Sequence, residues 1–223
     1  MLESPREQLV KSLSAAAASF ADSELAFLAL TSKIERPVVD RLAYRLFLTL
    51  APAGYAVTRE WPLPGGAGRV DLAVLQGDRP CLLLEAKAMY SFDSAAHSRK
   101  DREYPRRLQA DLGRFSNATF PGVPIFSLLL ATHPEAPLPL SPPGVFKYTS
   151  GVNAALRCAT ADEVRHKAEK SISAQVRSDV AASSGSFSGG SAFGVPVSIL
   201  WWLFGPFEAP GRLQLLREPE LAV

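Results

Sequence analysis

The chain has 223 residues, of which 47% are hydrophobic and 21% are charged, and its formal net charge is +2. This balance suits a packed domain and excludes disorder as the default interpretation. The mildly basic charge permits nucleic-acid binding without arguing for it, and the widely separated Cys81 and Cys158 argue against a structural zinc site.

Helical patterns occupy the first 50 residues. Apolar residues recur at intervals of three and four over residues 7–30, which predicts one amphipathic helix, and a second helix is predicted over 36–50. Glu35 lies one turn before the apolar stripe of this second helix, which consists of Val39, Leu42, Leu46 and Leu50. A carboxylate on a core-facing stripe needs a partner or a metal. The alternative is that Glu35 precedes or caps the helix and is solvated.

Three strands are predicted next, at Tyr55 to Leu63, Arg69 to Leu75 and Cys81 to Ala88. The turn-rich segment 76–80 between the last two predicts a hairpin with a five-residue loop. Cys81 opens an apolar run, so we expect a buried free thiol there.

The second half of the chain alternates polar and apolar segments. Residues 99–117 predict a polar helix, Val123 to Thr132 a strand, 133–144 a proline-rich loop and 160–180 a charged helix. Residues 183–194 are rich in serine and glycine, which predicts a mobile loop. The apolar segment from Val195 to Phe207 has 13 residues, too few to span a bilayer, so we interpret it as a buried strand.

These elements predict one domain over residues 1–223. Its parts are an N-terminal helical extension (1–32), a catalytic core (33–132), and a C-terminal part (133–223) with a helix, a Ser/Gly-rich loop and an apolar strand. The first residues lack a basic segment followed by an apolar one, so no signal peptide is expected. We therefore expect a cytoplasmic protein without a membrane partner.

The predicted hairpin brings charged residues together. Pairing Leu75 with Cys81 sets Asp71 opposite Glu85, and side-chain alternation places Lys87 on the same face. Two carboxylates this close repel each other, and a divalent cation offsets both charges. Oxygen ligands select magnesium or manganese, which would lower the pKa of a water and polarise a phosphate. The alternative is a buried ion pair of Lys87 with one of the carboxylates.

This arrangement resembles the PD-(D/E)xK nuclease superfamily, whose members share the restriction-endonuclease-like fold. The motif here reads Arg69-Val70-Asp71, then Glu85-Ala86-Lys87 after thirteen residues, and the resemblance covers roughly residues 33–132. The residue before the aspartate is Val70, where the family's pattern has proline. The resemblance implies an α/β (α+β) fold with a mixed central β-sheet flanked by helices, in the order α-β-β-β-α-β.

The resemblance also implies roles for individual residues. Asp71 and Glu85 would be metal ligands, Lys87 the catalytic lysine, and a helical carboxylate would complete the site. Glu35 is our choice for that carboxylate, and Asp40 is the fallback. The implied cofactor is Mg²⁺ or Mn²⁺.

The predicted function is a metal-dependent nuclease that cleaves DNA rather than RNA, in restriction, repair or defence against mobile DNA. Lys100 and Arg107, in the basic segment after the active-site strand, are candidates for phosphate contacts; a solvated helical face is the alternative. A catalytically silent module of the same fold, which binds nucleic acid or a protein partner, is the second hypothesis. A homodimer or a partner protein remains open.

Overall fold

The computed structural model describes residues 4–66, 68–95, 120–175 and 182–207. These residues form an α+β fold in which helices flank one mixed sheet of six strands. The helices are α1 (Pro5–Ala17), α2 (Glu24–Thr31), α3 (Glu35–Leu50), α4 (Ser91–Ala95), α5 (Thr149–Cys158) and α6 (Ala161–Gln175). The strands are β1 (Tyr55–Pro62), β2 (Arg69–Gln76), β3 (Arg79–Tyr90), β4 (Ile125–Pro134), β5 (Ala182–Ala192) and β6 (Val195–Phe207).

The strand order across the sheet is β1-β2-β3-β4-β6-β5. Strands β3 and β4 are parallel, and all other neighbours are antiparallel. The strands β1, β2, β3 and β4 follow α3 in the predicted order, whereas α4 between β3 and β4 was not predicted. Because β6 pairs with β4, the C-terminal strands extend the same sheet that carries Asp71, Glu85 and Lys87.

Two apolar cores lie on opposite faces of this sheet. The first core joins the apolar sides of α1, α2 and α3 to alternate residues of β3 such as Leu82 and Leu84. The second core contains Leu83 and Met89 of β3 together with Ile172 of α6. Strand β3 is therefore covered on both faces, which explains its nearly continuous apolar sequence.

The prediction of one helix over residues 7–30 is wrong, because the chain forms two helices there. Helix α1 begins with a capping box in which Ser4 and Glu7 bond each other's backbone N–H groups. It ends at Ala17, and Ser23 adopts a left-handed conformation (φ 67°) before α2 begins. Alanine and serine fit a helix and a short connection equally well, so the apolar periodicity does not reveal this break.

The Ser/Gly-rich segment is a strand, contrary to the predicted mobile loop. Strand β5 pairs along its length with β6. A Cβ atom on Gly185 would lie 2.8 Å from the ring of Trp201, and one on Gly190 would lie 3.0 Å from the backbone nitrogen of Ser23. The small residues therefore permit close approach of a side chain and of the α2 region, and do not signal mobility.

Other predicted elements are found with shifted ends. The helix 36–50 is α3, the strand from Val123 is β4, and the charged helix 160–180 is α6. Helix α5 was not predicted. The predicted helix 99–117 lies outside the described residues. No helix in the described part of the chain combines the length and apolar character that a membrane span requires.

Candidate functional site

The hairpin that carries the predicted motif has a tighter turn than expected. Strand β2 continues to Gln76, which pairs with Arg79, so the predicted loop 76–80 is wrong. Leu75 pairs with Pro80 and not with Cys81, and a register shift follows between Leu75 and Val74. Cys81, half-buried, donates its thiol to the Val74 carbonyl at 3.3 Å, and burial raises the pKa of this thiol.

The register shift restores the predicted alignment nearer the site. Beyond it, Val74 pairs with Leu82 and Leu72 with Leu84, as the five-residue loop would also have required. The regular ladder ends at Leu72 and Leu84, one step before Asp71 and Glu85. From Glu85 onward β3 continues to Tyr90 without β2 beside it, and side chains take the place of β2 along this edge of β3.

Three carboxylates cover the edge of β3 that β2 leaves unpaired. The N–H of Ala86 donates to Asp71 at 2.7 Å, and the N–H of Ala88 donates to Glu35 at 2.9 Å. The N–H of Tyr90 donates to Asp93 at 3.2 Å. These alternate N–H groups would otherwise be buried without the partners that a paired strand supplies.

Asp71 and Glu35 therefore meet the same strand from two different elements. Asp71 belongs to β2, and Glu35 is the first residue of α3. Each hydrogen bond occupies one oxygen of a carboxylate, a group that has two oxygens and about four acceptor sites. The structure thus brings Glu35, the first choice for the helical carboxylate, to the motif.

Glu85 and Lys87 share one face of β3, as predicted. Lys87 Nζ lies 3.1 Å from Glu85 Oε1. The Glu85 side chain is 3% exposed and that of Lys87 is 22% exposed. An ion pair of this kind is the alternative described above for Lys87, and the structure confirms that this pair exists.

The regular alternation of β2 breaks at Val70, next to Asp71. Val70 and Ala73 both pack in the second core, which strict alternation would not allow. Across from Asp71, the β1 residue Glu60 has a left-handed conformation (φ 51°), unusual for a residue other than glycine. This local distortion accompanies the contact of Asp71 with the edge of β3.

The electrostatic surroundings of Glu35 raise its pKa. Burial is the main cause, and the negative charge of Asp71 acts in the same direction. The positive charge of Lys87 and the hydrogen bond from Ala88 lower the pKa in part. The charges of Glu35, Asp71 and Lys87 are thus close enough to influence one another.

The raised pKa of Glu35 predicts a pH-dependent stability. The folded chain keeps the Glu35 proton to higher pH than the unfolded chain, whose glutamate pKa is about 4.3. The resulting stabilisation is complete below that pKa and is lost as the pH rises through the raised value. Glu35→Gln stays neutral, so the free energy of unfolding of this variant, relative to that of the unsubstituted chain, should increase as the pH rises above about 4. Urea unfolding at several pH values measures this difference, and a pH-independent difference would contradict the prediction.

Glu35 and Asp71 also line one cleft between α3, β1 and β2. Its other charged residues are Arg36, Asp40, Arg59 and Glu60. Asp40 forms an ion pair with Arg59, and Arg36 lies 4.0 Å from Glu60. The cleft is thus bounded by four carboxylates and two guanidinium groups.

The donor set suits a magnesium ion that keeps most of its waters. Mg²⁺ is commonly held by one or two carboxylates together with water molecules, and Glu35 and Asp71 can supply two. Among the described residues, no three His, Cys, Asp or Glu side chains are close enough to hold a metal ion as they stand. The predicted set of Asp71, Glu85 and Glu35 is therefore not assembled around one point.

Several residues of the site were not predicted. Arg36, Arg59 and Glu60 reach the cleft because α3 packs over β1, and Asp93 covers the end of β3. For Arg59 and Glu60, two charged residues in succession within a strand were a usable signal. The predicted phosphate-contacting residues Lys100 and Arg107 lie outside the described residues.

Comparisons with known proteins give no relative from which the site could be interpreted. The chain matches no family model, no curated protein and no solved structure.

Proposed function

We propose that this chain is a magnesium- or manganese-dependent nuclease that cleaves DNA, built on a restriction-endonuclease-like core. The observation that carries the proposal is the meeting of Glu35 and Asp71 on the edge of β3, beside the Glu85–Lys87 pair. These carboxylates come from separate elements, and the positive charges of Lys87 and Lys33 both act on Glu35. Buried charged groups gathered at one strand are uncommon where a core alone is required.

Different residues would bind the cation and stabilise the charge on the phosphate. Glu35 and Asp71 would hold the cation through their carboxylate groups. Mg²⁺, when bound, would act as a Lewis acid on a phosphate oxygen and lower the pKa of water. Glu85 fixes the position of the Lys87 ammonium group at 3.1 Å, and Lys87 would stabilise negative charge that develops on the phosphate.

Cleavage assays with and without metal test this function. Linear and circular duplex DNA are incubated with the chain in magnesium, manganese or EDTA, and we expect cleavage only with a metal. Asp71→Asn should reduce the rate about a hundredfold to a thousandfold, because it removes one charge from the site. The matched control is Asp78→Asn in the exposed β2–β3 turn, which should leave the rate unchanged. Circular DNA distinguishes endonuclease from exonuclease action.

A catalytically silent module of this fold is the second candidate. It is favoured by the hydrogen bonds themselves, since covering the edge of β3 is a sufficient structural role for Asp71 and Glu35. A partner surface is available on α3, where Tyr44, Phe47 and Leu48 are each about half exposed. Absence of cleavage by folded protein in both metals would favour this candidate over the enzyme.

A further inference from the structure

The cleft beside the candidate metal site has a charge balance that a phosphate must overcome. Four carboxylates and two guanidinium groups line it, which leaves two negative charges uncompensated when all groups are ionised. One divalent cation would neutralise this excess, so the cleft then has no net positive charge to attract a DNA phosphate. A substrate phosphate would therefore have to be held by a direct, hydrogen-bonded contact with a cationic side chain on the wall.

Two arginines of the cleft could supply that contact, and they differ in exposure and in the ion pairs that they form. The Arg36 side chain is 80% exposed and lies 4.0 Å from Glu60, at the limit of an ion pair. The Arg59 side chain is 39% exposed and is paired with Asp40 across the gap between β1 and α3. Arg59 is thus the less exposed of the two arginines and the one in the closer ion pair.

The geometry of a guanidinium group allows it to hold a carboxylate and a phosphate together. Arginine has five N–H donors in a rigid plane, and one carboxylate satisfies only part of them. A guanidinium already oriented by Asp40 loses less side-chain entropy when it binds a phosphate in a bidentate manner. Asp40 then has a role different from the metal ligand for which it was the fallback.

We infer that Arg59 contacts a phosphate of DNA bound in the cleft, and that Asp40 is a positioning residue that orients its guanidinium group. This inference rests on the proposed function, since it places the DNA next to Glu35 and Asp71. It adds a substrate-contacting residue on β1, outside the Asp71, Glu85 and Lys87 motif.

Binding of a short duplex DNA, measured by fluorescence anisotropy in Ca²⁺, a divalent cation that also takes oxygen ligands, tests the role of Arg59. Arg59→Ala should weaken binding about tenfold, the loss expected for one charge-assisted hydrogen-bonded contact. The slope of log affinity against log salt concentration should also fall by about one. Arg59→Lys keeps the charge and loses the bidentate geometry, so its affinity for DNA should lie between those of Arg59→Ala and the unsubstituted chain.

Arg41→Ala is a matched control. Arg41 is 40% exposed and is also paired with a carboxylate, that of Glu24, but it does not line the cleft. It should bind DNA like the unsubstituted chain. Equal affinities and salt slopes for Arg59→Ala, Arg41→Ala and the unsubstituted chain would overturn the inference, as would absence of DNA binding by the unsubstituted chain.

The positioning role of Asp40 has its own test. Asp40→Asn should raise KM about two- to threefold at unchanged kcat, because it weakens a binding contact without touching the reacting atoms. In an Arg59→Ala background the same substitution should have no further effect on KM. An effect of equal size in both backgrounds would show that Asp40 acts independently of Arg59. If the unsubstituted chain cleaves DNA and Arg59→Ala binds DNA equally well, only this inference is overturned. If DNA binding depends on Arg59 but no DNA is cleaved, only the enzymatic function is overturned.

Discussion

Lys87→Met is expected to slow DNA cleavage about a hundredfold to a thousandfold and to destabilise the fold at the same time. The loss of rate follows from removal of the Lys87 charge, which would stabilise the negative charge that develops on the phosphate. The loss of stability follows because Glu85 is 3% exposed and its carboxylate loses the ammonium group at 3.1 Å. We expect about 3 kcal/mol, the lower end for a broken buried pair, since Lys87 keeps 22% of its side chain exposed.

A second substitution separates the two effects of Lys87→Met. The double variant Lys87→Met/Glu85→Gln has no unpaired buried charge, so it should recover most of the lost stability without recovering activity. Urea unfolding and cleavage assays on the single and double variants measure both quantities. Lys170→Met, at an exposed position of α6, controls for the loss of a positive charge. If the double variant recovers cleavage together with stability, Lys87 has a structural role and no catalytic one.

The register of the hairpin was predictable although its turn was not. The expected pairing of Leu75 with Cys81 does not form, because the turn is tight and an extra residue enters the ladder at Cys81. Beyond that point the pairing of Leu72 with Leu84 is the predicted one. The apolar residues of both strands must reach their own cores, and a slip of one residue would turn each to the wrong face.

The parts of the fold that escaped prediction depend on tertiary contacts. Strand β5 contains Ser and Gly, which rarely favour a strand on their own. It becomes a strand because β6 pairs with it and because Gly185 leaves room for the Trp201 ring. The break between α1 and α2 has the same cause, since Ser23 packs against Gly190 of β5.

The candidate site was also predictable only in part from the sequence. Glu35, Asp71, Glu85 and Lys87 could be named from the spacing of charged residues against apolar runs. The ion pair of Asp40 with Arg59 could not, because it depends on how α3 crosses β1. The hydrogen bonds from Ala86 and Ala88 were equally inaccessible, since they exist only where the β2–β3 ladder ends.

Those hydrogen bonds lead to the second large effect, at Asp71. Asp71→Ala should abolish cleavage and lower the free energy of unfolding by about 1–3 kcal/mol, the cost of leaving a buried donor unsatisfied. The donor concerned is the N–H of Ala86, a residue that is fully buried. Asp71→Asn keeps a side-chain oxygen for this N–H, so it should slow cleavage about a hundredfold to a thousandfold with a much smaller loss of stability.

The comparison of these two variants distinguishes a catalytic carboxylate from a structural one. Urea unfolding gives the stability of each, and amide hydrogen exchange at Ala86 reports whether its N–H is still protected. If Asp71→Asn cleaves DNA at the rate of the unsubstituted chain, the charge of Asp71 is not needed, and covering the edge of β3 is its whole role. If both variants have lost cleavage activity but only Asp71→Ala is destabilised and unprotected at Ala86, the carboxylate of Asp71 is needed for cleavage in addition to its structural role at the edge of β3.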